Sequence, residues 1–218
     1  MTWKDLQTIY SLVVIFCSLH YSYTFTDPIT RESSAVKEFL EPHDGENEQT
    51  LPDDIRSRIC STASCGNVHT ICLDENGVLR GFGSNEMSQL GFQTQEPLVL
   101  LPTRIPNVPV MLSVSCGAYF TACIDASGSL WTFGSVFRDT GTPRPESFRS
   151  PQIISGLPTL TSVHCGKCHI VCIDTEKTIW SFGNNEHGQL GLGHVFQQKT
   201  PQQVDVHNVT HVSCGDSH

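Results

Sequence analysis

Val163-His164-Cys165-Gly166-Lys167-Cys168-His169, then Ile173-Asp174, Ile179-Trp180-Ser181-Phe182-Gly183-Asn184 and Gly188-Gln189-Leu190-Gly191-Leu192-Gly193, is the stretch on which the fold turns, because its pieces recur upstream and downstream at a fixed interval. The Cys-Gly pair of Cys165-Gly166 returns as Cys65-Gly66, Cys116-Gly117 and Cys214-Gly215, with steps of 51, 49 and 49 residues. Phe182-Gly183 keeps step with Phe82-Gly83 and Phe133-Gly134. So do Cys72-Leu73-Asp74, Cys123-Ile124-Asp125 and Cys172-Ile173-Asp174. Three markers in one register define a tandem repeat of about fifty residues, the length of a β-propeller blade.

Within each unit the pattern is that of strands. Leu112, Val114 and Cys116 alternate up to Gly117, and Thr121, Cys123 and Asp125 follow. Ser127-Gly128 makes a turn, and Ser129 to Phe133 is a third run closed by Gly134. Period-two alternation punctuated by glycine turns reads as antiparallel sheet. One small sheet cannot bury both of its faces, whereas sheets stacked radially can, so an all-β propeller is expected, with three to four four-stranded antiparallel blades in this chain. The repeats divide at about 59–110, 111–159 and 160–208, with the start of a fourth at 209–218.

These residues resemble the repeat of the regulator of chromosome condensation family. The shared pattern is a Cys-Gly or Ser-Gly strand end, a His three residues after the Gly, an aliphatic strand, an Asp, a Gly turn, an aromatic-Gly, and an Asn…Gly-Gln-Leu-Gly loop. The signature falls on Cys65, Gly66, His69 and Gly83, on Cys116, Gly117 and Gly134, on Cys165, Gly166, His169, Gly183, Gly188, Gln189, Leu190 and Gly191, and on Cys214, Gly215 and His218. It covers about residues 55–218. The first repeat keeps Gly83-Ser84-Asn85 and Gln89-Leu90-Gly91. The second has Ser135-Val136-Phe137-Arg138-Asp139-Thr140-Gly141 where Gln-Leu-Gly is expected. The resemblance implies a seven-bladed ring, so missing blades or another chain would be needed to close it. It also implies two roles: a protein-interaction scaffold, or nucleotide exchange on a small Ran-like GTPase. For the latter, Phe137, Arg138, Asp139 and Asp216 are the candidate contact residues, because a Phe-Arg-Asp loop looks like one in the family's exchange factors. Those factors carry an acid just before the repeat His. Here that position holds Val68, Tyr119, Cys168 and Ser217, which argues against exchange.

Outside the repeats the chain changes character. Ile9 to Leu19 is an apolar run of eleven residues. It is too short to span a bilayer, which needs about twenty, and is of signal-peptide length. A buried strand or an extension from a misplaced start codon fits residues 1–26 as well. Residues 27–58 carry nine acids against four bases and read as an acidic linker, with a short helix conceivable at Ser34–Leu40. The whole chain of 218 residues has a formal net charge of −9 and no Lys/Arg run, so autonomous nucleic-acid binding is not expected.

Chemistry-bearing clusters are few. Cys165-x-x-Cys168-His169 matches a haem-attachment string, but Cys165, Gly166 and His169 are all repeat positions. Strand alternation would scatter Cys165, Cys168, His169 and Cys172 rather than converge them tetrahedrally on zinc. No metal, cofactor or catalytic residue is expected. Seven of the ten cysteines sit at repeat positions and read as small buried thiols in a reducing compartment. Cytoplasm or nucleus is therefore favoured, with the secretory pathway as the alternative if residues 9–19 are a signal. In that case Asn208-Val209-Thr210 would be a glycosylation sequon.

Overall fold

The computed structural model describes residues 60–136 and 149–218. The apolar segment 1–26, the acidic segment 27–58 with its conceivable helix, and Phe137, Arg138 and Asp139 lie outside the described residues. Cys60–His218 makes one compact unit.

That unit is all-β. Its first sheet is β1 (Cys60–Cys65), β2 (His69–Asp74), β3 (Leu79–Ser84) and β4 (Leu98–Arg104). The second is β5 (Met111–Cys116), β6 (Phe120–Asp125), β7 (Leu130–Gly134) and β8 (Gln152–Ile153). The third is β9 (Leu160–Cys165), β10 (His169–Asp174), β11 (Ile179–Gly183) and β12 (Gln198–Val204). Every sheet is an antiparallel meander with strands in chain order, which is a propeller blade. The first strands of successive blades touch one another, so β1, β5 and β9 are the inner strands.

The cores lie between blades rather than within them. Ile71, Leu79, Leu90 and Ile105 of the first blade close on Met111, Val114 and Phe133 of the second. Phe120, Ile124 and Leu130 of the second close on Leu160, Val163, Ile170 and Phe182 of the third. Blade stacking explains why the second strand of each sheet is buried at all six positions and carries a continuous apolar run before its terminal Asp. A strand covered on both faces has no solvent side to keep polar.

One expectation from the sequence fails on the first strand. Alternation puts Leu112 on the same face as Val114 and Cys116, yet Leu112 is 65 % exposed while Met111 and Val114 are buried. The cause is a bulge: the register slips between Met111 and Ser113 against Asp125 and Ile124. It recurs between Cys60 and Thr62 and opposite Ile173/Asp174. In the outer two blades the bulged residue is a hydroxyl that bonds back to the second strand, Ser61 Oγ to Leu73 O at 2.9 Å and Thr161 Oγ1 to Ile173 O at 3.1 Å. An extra residue in one strand moves the following side chains to the other face, which simple alternation does not register.

The turn after the second strand is built by its terminal Asp. Asp125 Oδ1 accepts from Ser127 N and Ser129 N, and Asp174 Oδ1 accepts from Glu176 N and Thr178 N, all within 3.0 Å. The second oxygen of each receives an indole N–H, from Trp131 at 2.8 Å and Trp180 at 2.9 Å. Burial raises the pKa of both carboxyls, but these donors outweigh it and hold them below the usual carboxylate range.

Candidate functional site

In an antiparallel meander the turn from strand one to strand two and the loop from strand three to strand four emerge on the same side. Backbone bonds tie them together: Ser84 N, Ser135 N and Asn184 N donate to Val68 O, Tyr119 O and Cys168 O at 2.7–2.8 Å. This face is where the signature residues converge.

At its centre is the Gly-x-x-ring turn. Gly66, Gly117, Gly166 and Gly215 donate their N–H to the carbonyl of His69, Phe120, His169 and His218 at 2.9–3.0 Å. The ring then lies flat over the glycine. A Cβ on Gly66 would stand 2.3 Å from His69 Cε1, and one on Gly117 would stand 2.0 Å from Phe120 Cε1, so nothing larger than hydrogen fits. Laterally the turns bond each other across blades: Asn67 N to Ala118 O, Ala118 N to Lys167 O, and Lys167 N to Asp216 O, at 3.0–3.3 Å. A second lateral bond clasps the inner strands, with Ser64 Oγ accepting from Cys116 N at 2.9 Å and Ser115 Oγ accepting from Cys165 N at 3.0 Å.

His69 and His169 are buried structural groups. His69 Nε2 pairs with Thr121 Oγ1 of the next blade at 3.0 Å, and that hydroxyl donates to Gln89 O at 2.8 Å. Burial drops the His69 pKa to about 4, so the ring is neutral near pH 7. His169 is fully buried and its pKa is lowered first by burial and then by His218. A base or ligand needs access, which neither ring has.

The loops from strand three to strand four rise around this centre. In the third blade, fully buried Asn185 organises the loop: its Oδ1 accepts from Leu190 N at 3.0 Å, and its Nδ2 donates to His194 O at 2.7 Å and Phe196 O at 3.1 Å. Asn85 does the same in the first blade, accepting from Leu90 N and donating to Phe92 O. Gln189 Oε1 takes His187 N and its Nε2 reaches Asn184 Oδ1, while Gln89 Oε1 takes Met87 N. The wired loop presents Val195 and Phe196, 59 % and 72 % exposed, with the His194 ring packed at 5.5 Å from the Phe196 ring. Sequence reading passes over both residues, because an apolar pair in a loop carries no periodic signal.

Of the other singled-out residues, Asp216 is exposed at the end of the lateral ladder, and Asn208 is exposed with a left-handed φ of 62°. The loop that holds Phe137, Arg138 and Asp139 leaves this face at Ser135 and buried Val136. Cys72, Cys116, Cys123 and Cys172 are buried free thiols, and Cys165 and Cys214 are half-buried free thiols. Burial pushes the Cys116 thiol up to about 12 and Cys214 to about 11. Cys65 departs from the expectation of free thiols, being disulfide-bonded. Among the described residues no three His, Cys, Asp or Glu side chains gather as a metal set, and no helix is long and apolar enough to cross a membrane. On the opposite face, a shallow recess lies between the Ser127-Gly128-Ser129 turn and the Ile154–Thr159 connection, and its lining carries no ionisable side chain.

Comparison with known proteins agrees with this geometry. The family model described as "Regulator of chromosome condensation (RCC1) repeat" matches residues 76–124 and 177–218, and a second model of the same repeat matches 160–189. The chain is similar to the protein RCC2 homolog of Danio rerio, 38 % identical over 85 residues that make up 38 % of this chain and 17 % of that protein. Among solved structures it resembles human WBSCR16, with a TM-score of 0.64 at 20 % identity over 76 % of this chain and 44 % of that one. It also resembles Prp20p of Saccharomyces cerevisiae, with a TM-score of 0.62 at 23 % identity over 72 % of this chain and 42 % of that one. The chain spans less than half the length of each of these relatives. Tandem signature, blade topology and family match thus agree: over residues 76–124 and 160–218 the chain carries regulator of chromosome condensation repeats.

Proposed function

We propose that this chain is a non-catalytic interaction propeller that binds a protein partner on the face formed by the strand one–two turns and the strand three–four loops. The observation that carries this reading is the Val195-Phe196 projection. An exposed aromatic normally loses rotamer freedom on binding, but here the backbone beneath it is held in place by buried Asn185. A pre-ordered aromatic at the rim of a polar face suits a binding anchor. A photo-crosslinking residue placed at Phe196 should capture a defined protein in cells, whereas the same residue at exposed Asn76, in a turn on the opposite face, should not. Equal capture at both positions would overturn the assignment of the face.

A second reading is guanine-nucleotide exchange on a Ran-like GTPase. The structure of Prp20p was described together with its binding properties to Gsp1p and histones. The loop that holds Phe137, Arg138 and Asp139 leaves the proposed face, and Asp216 lies on it. Against this, Val68, Tyr119, Cys168 and Ser217 supply no acid at the position before the ring. Release of a fluorescent GDP analogue from the GTPase, accelerated by the chain and abolished by Asp139→Ala, would favour exchange over scaffolding. Nucleus or cytoplasm is the compartment that the free buried thiols favour, although the Cys65 disulfide points to an oxidising one.

A further inference from the structure

The lateral clasp between inner strands changes character at its third station. In the first two, a serine of one blade accepts the N–H of the next blade's cysteine: Ser64 for Cys116 and Ser115 for Cys165. The equivalent residue of the third blade is His164, and it faces His211 of the fourth inner segment. The two rings stand edge to face with centroids 5.9 Å apart and planes at 70°. His211 likewise departs from the repeat, taking the place held by Thr62, Ser113 and Ser162. Two hydroxyl positions of the repeat are thus imidazoles here, and the two rings meet.

Neither ring makes a hydrogen bond or ion pair among the described residues. His164 is half-buried and His211 exposed, so the pair opens to solvent. Burial first, and then the neighbouring His211, lowers the His164 pKa, which leaves its nitrogen lone pair available near neutrality. The backbone around the pair is fixed. His164 lies on β9, paired with Val171 of β10, and the 209–218 segment is tied to the third blade at both ends by Val209 N to Lys177 O at 3.1 Å and Lys167 N to Asp216 O at 3.3 Å.

We propose that His164 and His211 form a bis-imidazole site for a divalent transition-metal ion of the Zn²⁺ or Ni²⁺ class, with water completing the coordination. With metal–nitrogen distances of about 2.0–2.1 Å, two imidazoles on one tetrahedral ion have ring centres about 5 Å apart. The observed centroid separation of 5.9 Å exceeds that by about 1 Å. Imidazole is the nitrogen donor that suits these ions, and rigid flanking strands supply the pre-organisation that two ligands alone would lack. Such an ion would link the third blade to the fourth inner segment at the station where the serine clasp is replaced.

The test titrates Zn²⁺ and, separately, Ni²⁺ into the full chain, with calorimetry for affinity and imidazole ¹H–¹⁵N spectra for the rings involved. One equivalent should perturb His164 and His211 together. His164→Ser and His211→Ser restore residue types that the repeat itself uses at these stations, so both variants should fold. Each should weaken this binding event at least tenfold. Binding in the unsubstituted chain should weaken as pH falls, because protons compete with the metal for its nitrogen ligands. If either variant binds with unchanged affinity, or if the first equivalent perturbs other histidines and leaves these two unmoved, the proposal fails.

Discussion

The interface between the first and second blades and that between the second and third share one backbone and use opposite side-chain chemistry. Both have the serine clasp, the lateral turn bond and a flat ring seated over a glycine. In the first the ring is His69, and it meets Thr121, whose hydroxyl is satisfied in turn by Gln89 O. In the second the ring is Phe120, and it lies in one apolar cluster with Ile170, the counterpart of Thr121. The repeat therefore demands a planar ring of a given size at this position, and leaves polarity to be matched with the neighbouring blade. A histidine three residues after the glycine is a packing element with an optional hydrogen bond.

The severest challenge to this contrast is to mismatch the pair. Phe120→His would bury an imidazole against Ile170, and urea denaturation should show a loss of about 4 kcal/mol from lost packing and an unpaired polar group. The double variant Phe120→His/Ile170→Thr recreates the first interface and should recover a good part of that loss. A single variant as stable as the parent would show that polarity matching is unimportant.

Acidification probes the same contrast without substitution. The folded His69 pKa is about 4, below its unfolded value, so between about pH 6.5 and 4 only the unfolded chain takes up this proton. Stability should therefore fall as pH drops through that window, by up to ~3 kcal/mol from His69 alone. His69→Phe/Thr121→Ile, patterned on the second interface, should remove that share in thermal melts compared at neutral and mildly acidic pH. The smaller shares from His164 and His169, lowered in the same sense, would remain. Asp125 and Asp174 are shifted down, so their contribution is present above an unfolded pKa of about 3.9 and is lost only as pH falls below it, a separate and more acidic step.

Thr121→Val takes away both the partner of His69 and the donor to Gln89 O while keeping shape, and should cost about 2 kcal/mol in denaturant titration. Ile170→Val, its counterpart in the apolar interface, should cost about 1 kcal/mol. A reversed order would mean that the hydrogen-bonded chain contributes less than one methylene of packing.

The smallest effect separates the loops. Ser88 adopts φ 61° where the third blade has Gly188 at φ 76°. Ser88→Gly should stabilise the chain by up to about 1 kcal/mol, because a left-handed serine is strained and glycine is not. The rise in melting temperature reads it.

The Cys-Gly, Phe-Gly and Asp markers were enough for the repeat, the four-strand blade and the family resemblance, because each is imposed by local backbone geometry. Gly117 must admit the Phe120 ring, Gly134 needs φ 92° against Tyr119 O, and Asp125 must cap its own turn. Constraints of that kind are written in the residue that obeys them, so local turns and rings over glycines make every blade legible from the amino-acid string.

Contacts between blades were not legible, since they join residues fifty positions apart whose chemistry is conditional on each other. Nothing in the string Phe120-Thr121 says that Thr121 answers His69, that Leu112 is turned outward by a bulge, or that Asn185 holds Phe196 in the open. Which side chains meet across the gap between blades, His164 and His211 among them, emerged only on folding, because stacking adds contacts that no single repeat contains.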